Sequence, residues 1–199
     1  MSNSPQLITD RLILRKFTGE PEDIEAMFTI LSDIETNRFL PWFPVKDLDE
    51  ARQHVQERFL NTYNGEKGYR YAICLKEDNI PVGYIGLSEG ESHDFGYGLR
   101  RDLWHRGIVT EAAKAVVQRL RADKMDFITA THDVNNPRSG AVMRKIGMKY
   151  CYSYVEQWQP KNMRVIFRMY QLNLDGMTDR VYTGYKENYP DYFIENIDA

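Results

Sequence analysis

The sequence predicts an α+β domain, with strands and helices mixed along one chain, and three observations predict it. Tyr69, Tyr71, Ile73 and Leu75 alternate on one face of a strand, and Pro81 to Leu87 and Phe95 to Leu99 follow it across short polar connections, so three consecutive strands form a meander. Val109, Ala112, Ala113, Val116, Val117 and Leu120 then recur at the spacing of an amphipathic helix. Further on, Asn136 stands as N-cap, Pro137 occupies the first helical position and Gly147 offers a left-handed stop, which delimits a second helix from its ends.

At 199 residues the chain suits one domain with a substantial core. Its formal net charge of −3 argues against general nucleic-acid binding, which needs accumulated Lys and Arg. Cys74 and Cys151 fall in strands and form no CxxC pair, so they read as reduced core thiols, and no metal-ligand cluster is expected. No signal peptide and no apolar run near 18 residues is found, so a cytoplasmic protein without a membrane span is expected.

In chain order, Leu7 to Phe17 reads as one opening strand with Leu12 and Leu14 on the same face. Pro21 opens a helix whose Ile24, Met27, Phe28 and Leu31 face the core. Phe39 to Pro44 is an apolar, proline-broken loop that serves either as a packed corner or as a wall of a substrate groove. Asp47 and Glu50 form a capping box for a helix through Phe59 or Leu60, which Asn64-Gly65 ends. After the meander and its helix comes a strand over Asp126 to His132, then the Asn136 helix with Val142, Met143 and Ile146 inward. Lys149 to Gln157 and Arg164 to Leu172 are two more strands, joined by a turn at Gln159-Pro160-Lys161-Asn162. Residues 173–199 form an extension with six acidic against two basic residues and with Tyr182, Tyr185, Tyr189, Tyr192 and Phe193. So many aromatics argue for a docked segment, on its own domain or on a partner subunit, rather than a disordered one.

The chemistry-bearing stretch is the turn from Arg100 to Gly107 and the helix after it. A glycine before a helix lets successive free N–H groups converge on one spot, and a helix N-terminus carries unsatisfied donors and partial positive charge. With Arg100, Arg101 and Arg106 added, the turn is a cradle for a diphosphate. A solvated charged loop is the alternative from this stretch alone. No Walker motif or complete dinucleotide fingerprint is present.

Three segments in register resemble the GNAT superfamily of N-acetyltransferases, in particular its RimJ/RimL-like branch of ribosomal-protein N-terminal acetyltransferases. TDRLILRKF is similar to that branch's T-x-R-L-x-L-R, LWHRGIVTEA to its W-x-x-G-x-A-T-E-A, and NNPRSGAVMRKIGM to its N-x-x-S-x-x-V-x-x-K-x-G-M/F. The resemblance covers residues 6–172 and implies a mixed, largely antiparallel sheet of six or seven strands, splayed in the middle between the strands at Phe95 and Asp126, with helices on both faces. It implies an acetyltransferase domain over 1–172 that takes acetyl-CoA and needs no metal. Backbone groups of Trp104, His105, Arg106, Gly107, Ile108, Val109 and Thr110, together with Arg100, would hold the pyrophosphate. Leu99 would lie beside the thioester, and Asn136 and Ser139 would face the pantetheine and sulfur. Two positions depart from the pattern: Val109 stands where Gly or Ala is usual, and Met143 stands where many relatives carry a tyrosine general acid.

Acetyl transfer from a thioester to an amine needs a base, a positioned pair of reactants, an N–H for the developing oxyanion and a proton for the leaving thiolate. The resemblance implies Leu99 or its neighbour as the oxyanion donor, where the family opens its sheet, and Ser139 as the proton source, the branch's serine of N-x-x-S standing in where methionine at 143 has no proton to give. The expected bases are Glu156 and His132, with Glu89 and Glu91 as further choices. The acceptor is a primary amine, either a protein N-terminus or a small molecule, with no nucleic-acid or membrane partner; a homodimer would form through the last strands or the tail. The alternative is a non-catalytic acetyl-CoA-binding sensor on the same fold.

Overall fold

The computed structural model describes residues 4–64 and 68–197. Gly65 of the expected helix stop and Asp198 of the acidic tail lie outside them. The opening segment is a hairpin rather than one strand: β1 (Leu7–Ile8) turns at Thr9 and pairs antiparallel with β2 (Leu12–Arg15). The reason is local, since Thr9 Oγ1 accepts from Leu12 N–H at 3.0 Å and Thr9 N–H reaches Leu12 O at 3.0 Å, a side-chain-stabilised turn inside an apolar alternation. The meander follows as β3 (Arg70–Leu75), β4 (Pro81–Leu87) and β5 (Phe95–Leu99), so β1 to β5 form one sheet in sequence order. A second sheet holds β6 (Phe127–Asp133), β7 (Lys149–Trp158), β8 (Met163–Asn173) and β9 (Tyr192–Phe193) in the order β6-β8-β7-β9. The described residues thus carry nine strands in two sheets, more than six or seven because of the opening hairpin and the short tail strand. The expected parting lies between β5 and β6, which meet at one parallel bridge, Asp94 with Thr129.

Helices cover both faces. On one, α1 (Pro21–Leu31), the short α2 (Ile34–Asn37) and α3 (Leu48–Arg58) bury Ile24, Met27, Leu31, Ala51 and Val55 against Ala72 and Cys74 of β3. On the other, α4 (Ile108–Ala122) and α5 (Pro137–Lys145) lie over Leu12, Leu14, Tyr71, Ile73, Ile85 and Tyr170. β3 therefore buries both faces, which is why its apolar residues are not confined to one parity. Each fully buried Leu, Ile or Met contributes about 1.5–3 kcal/mol of transfer free energy. The helix ends behave as their residues dictate. Asp47 accepts from Glu50 N–H at 2.9 Å, while Glu50 closes the box onto Lys46 N–H at 2.8 Å. Gly147 adopts φ 91°, with Met148 N–H on Met143 O at 3.0 Å. The segment after β8 forms α6 (Gly184–Asn188) and β9, and lies on the second sheet. There Tyr185 and Tyr189 stack on Tyr154 at 5.2 and 5.1 Å, Glu195 pairs with Arg168, and Ser153 Oγ bonds Glu195.

A buried ion pair ties β2 to the start of α1. Arg15 Nη2 lies 2.7 Å from Asp23 Oδ1, and Asp23 also accepts from Thr18 N–H at 2.7 Å. Burial alone would raise the Asp23 carboxyl, but the bonds from Arg15 and Thr18 outweigh it and hold it below the ordinary range. Its stabilisation is therefore complete above the unfolded value of about 3.9 and is lost as pH falls through the lower folded value. Asp23→Asn is expected to lower urea stability at pH 7 by about 3 kcal/mol and to remove this part of the acid dependence; an unchanged midpoint would contradict the assignment.

Candidate functional site

The hydrogen-bond parity of the two inner strands defines the split. Arg100 N–H bonds Val82 O and Ser88 N–H bonds Asp94 O, so even-numbered residues of β5 turn their backbone groups toward β4. Those of Phe95, Tyr97 and Leu99 then project from the opposite edge. In β6, Leu174 N–H on Asp126 O and Val134 N–H on Ile166 O place the even residues toward β8. Thr129 and Thr131 therefore project toward β5. At Thr129 the strands touch, with its N–H on His93 O at 3.3 Å and its Oγ1 on Ser92 O at 2.8 Å. Beyond that point they diverge, and among the described residues no acceptor meets the N–H of Tyr97 or Leu99. The Leu99 carbonyl is occupied, by Trp104 Nε1 at 2.9 Å. A strand edge with unpaired donors inside a domain is a place for an extended ligand.

The basic turn lies at the open end of this edge. Arg101–Leu103 form a 3-10 turn with Leu103 buried, His105 and Gly107 take φ 62° and 73°, and α4 begins at Ile108. Its first backbone bond runs from Glu111 N–H to Gly107 O, leaving the N–H groups of Ile108, Val109 and Thr110 without helical acceptors. Ile108 is buried and Val109 packs partly against the core, so valine at 109 points inward rather than over the donors. Arg101 and Arg106 are exposed, whereas Arg100 is half-buried and held by Asp102 at 2.7 Å. A brace behind the turn escaped sequence reasoning. Glu111 accepts from Thr9 Oγ1 at 2.6 Å and from Arg11 Nε at 2.7 Å, and Arg11 Nη1 reaches Arg106 O at 3.0 Å. Burial would raise the Glu111 carboxyl, but these bonds keep it below its usual value, as an ion.

The start of α5 closes the split from the second sheet. Asn136 is half-buried at the N-cap, its carbonyl accepts from Ser139 N–H at 3.2 Å, and its side chain makes no cap bond. Arg138 stacks on Trp104 at 4.7 Å. Ser139 Oγ donates to Tyr97 OH at 3.1 Å, and Tyr97 OH donates to Ser139 O at 2.8 Å. Tyr97, unseen as a site residue in the sequence, thus joins β5 to α5 across the gap. Burial pushes its hydroxyl well above the ordinary phenol value. Met143 is buried in the core. His132 is also packed away: it is 3% exposed, its Nδ1 is on Asp133 O at 2.8 Å, and its buried Nε2 has no partner beneath α5. Burial lowers its pKa and keeps the ring neutral.

The remaining carboxylates lie apart. Glu89 and Glu91 are exposed in the turn before β5. Glu156 is half-buried on β7, two strands beyond β6, where burial raises its carboxyl and the Tyr189 hydroxyl faces it. Asp94, missed in the sequence, stands where the split begins. Burial pushes its carboxyl up to about 6, against the opposing pull of the Tyr185 hydroxyl and the Arg70 guanidinium. Tyr185 OH lies 3.4 Å from Asp94 Oδ1. Among the described residues there is no cluster of three metal-ligating side chains, and no helix is long and apolar enough to cross a membrane.

A split sheet beside an uncapped helix start defines a domain able to grip an extended, anion-bearing ligand through backbone groups. Residues 11–149 match the family model of the acetyltransferase (GNAT) domain. The chain belongs to that family. The N-acetyltransferase p20 of Bacillus licheniformis is 30% identical over 116 residues, 56% of this chain and 63% of that protein. Among solved structures, a GNAT-family acetyltransferase from Bacillus anthracis superposes with TM-score 0.73 at 23% identity, covering 86% of this chain and 99% of that one. RimL, the ribosomal L7/L12 α-N-protein acetyltransferase in complex with coenzyme A, superposes with TM-score 0.73 at 19% identity over 86% of this chain and 98% of that one.

The packing of His132 has a direct consequence. A Cβ on Gly140 would lie 2.6 Å from His132 Nε2. Gly140→Ala is expected to cost about 1–3 kcal/mol in urea unfolding, and most of that cost should vanish in a His132→Ala background. Equal cost in both backgrounds would contradict the contact.

Proposed function

We propose that this chain transfers an acetyl group from acetyl-CoA to a primary amine, a protein N-terminus or a small molecule, directly within a ternary complex. The observation that carries this reading is the free edge of β5 at Tyr97 and Leu99, continuous with the free N–H groups at the start of α4. Acetyl-CoA supplies the acyl thioester, and the chain supplies everything else. The N–H groups of Ile108, Val109 and Thr110, helped by Arg106, bind phosphate oxygens at the positive end of α4. Trp104 holds the Leu99 carbonyl, so the Leu99 amide presents a donor rather than an acceptor to the split; such an oxyanion contact is typically worth about 3 kcal/mol. Asn136 keeps a side-chain amide available for the pantetheine arm.

Ser139 protonates the departing sulfur, and Tyr97 orients its hydroxyl. Met143 leaves no other hydroxyl on that helix face. The base is Asp94 rather than Glu156 or His132. His132 is sealed beneath α5, and Glu156 lies on the third strand from the split, whereas Asp94 borders it. A carboxyl near 6 is ionised at neutral pH and still basic enough to take a proton from an ammonium through water.

Calorimetric titration should show micromolar acetyl-CoA binding by wild type and none by Gly107→Glu, which fills the left-handed turn and places a negative charge on the donors; equal binding by both would place the cofactor elsewhere. For catalysis, the sign follows from Asp94 acting as its anion. kcat should rise with pH through about 6 and level off above it. Asp94→Asn should flatten that limb and lower kcat by about 10²-fold or more, while Glu156→Gln keeps it. An intact limb in Asp94→Asn would remove Asp94 from the mechanism.

A further inference from the structure

Phe95 and Leu99 point into the core under α4, so Asp94, Gly96 and Gly98 point to the other face of β5. Two of these are glycines with different surroundings. A Cβ on Gly98 would strike the Tyr84 ring at 2.5 Å, because the far end of that ring reaches over β5 at Gly98. A Cβ on Gly96 would meet nothing within 4 Å. Gly96 is therefore the floor of an open groove whose near wall is Tyr84 and whose end is Asp94.

Arg70 comes over the same floor. Register pairs Arg70 with Gly86 and Gly86 with Gly96, so the three share one row across the sheet. The Arg70 side chain lies along that row, its Cδ 3.1 Å from where a Gly86 Cβ would stand. Its Nε is buried without a partner, and so is the Tyr84 hydroxyl. No ion pair is made to Arg70 by the described residues. The charged and titratable groups that face it are Glu89, Arg58, Tyr63 and Asp94, and burial outweighs them to weaken its hold on its proton. A guanidinium taken out of water with an empty donor costs free energy unless something else fills it. Its planar fork takes both oxygens of a carboxylate at once.

We infer that the acceptor amine of the proposed reaction carries a carboxylate, which Arg70 and the Tyr84 hydroxyl receive in the groove over Gly96 while the amine points along β5 toward the Leu99 amide, where the thioester would lie. This rests on the acetyltransferase reading and narrows it to one substrate class, small amines bearing an anionic group. Successive same-face positions of a strand are about 7 Å apart, so a molecule held by the Arg70 row at Gly96 with its amine at the level of Gly98 is of amino-acid size. Free amino acids and the N-termini of short acidic peptides share this chemistry.

The test is thiol release from acetyl-CoA by the full chain, with L-amino acids, their C-terminal amides, tetrapeptides acidic at the second position, and linear polyamines as acceptors. Wild type should prefer an acid over its own amide by about tenfold or more in kcat/KM, chiefly through KM. Arg70→Gln should abolish that preference by lowering the acid alone, with acetyl-CoA affinity unchanged. Arg70→Lys, which keeps a charge, should retain part of it and serves if the glutamine variant does not fold. The better of the amino-acid and peptide arms identifies the source. Equal use of acids and amides by wild type, equal loss of both in Arg70→Gln, or turnover of polyamines alone would overturn the inference and leave the transferase reading standing. Absence of turnover with every amine would overturn both.

Discussion

The structure depends on a pairing that is begun and then abandoned. Among the described residues β5 and β6 are joined by a single bridge, Asp94 with Thr129, with the Ser92 and His93 carbonyls also on Thr129, so two sheets that could have closed into one are held apart like an open hinge. An unpaired strand edge inside a protein is unstable unless other elements enforce it. Here the enforcement comes from both sides. Trp104 takes the Leu99 carbonyl, Tyr97 bridges to Ser139 on α5, and Arg138 stacks back on Trp104. These contacts brace the two sides of the gap, and in the proposed reading the polar groups left over serve the pantetheine arm.

The opening hairpin is part of the same device. Thr9 and Arg11 approach Glu111 from the first residues of the chain, and Arg11 also grips the Arg106 carbonyl. The turn that presents the α4 donors is thereby pinned from behind by a segment about 100 residues away in sequence. Glu111 sits in the first turn of α4, where a carboxylate is favoured by the helix dipole as well. Its charge opposes the arginines locally, and its position behind the turn rather than in front keeps the donors clear.

Much of this was legible in the sequence because it is local. A glycine before an apolar helical stripe, and an Asn-Pro start with a glycine stop, determine where α4 and α5 begin and end whatever surrounds them. The same holds for the strand alternation of the meander. The opening segment misled because Leu12 and Leu14 alternate so cleanly that the Thr9 turn upstream is masked. His132 and Glu156 drew notice by residue type, yet a side chain's strand and neighbours decide whether it can act, and those are set by register between distant segments. Asp94, Tyr97 and Arg70 were invisible for the same reason: each becomes meaningful only when β3, β4, β5 and the tail lie side by side. The tail itself was visible as an aromatic, acidic segment, while its seat, with Tyr185 against Asp94 and Tyr154, was not.

In the proposed reading the free edge of β5 and the start of α4 form one continuous binding surface. Backbone amide NMR of the ¹⁵N-labelled chain, titrated with acetyl-CoA, tests it most directly. The amides of Tyr97, Leu99 and Gly107 through Thr110 should move together, with one common affinity, while those of α1, α3 and β9 stay in place. Shifts confined to the α4 turn with Tyr97 and Leu99 unmoved, or shifts centred elsewhere in the domain, would contradict it.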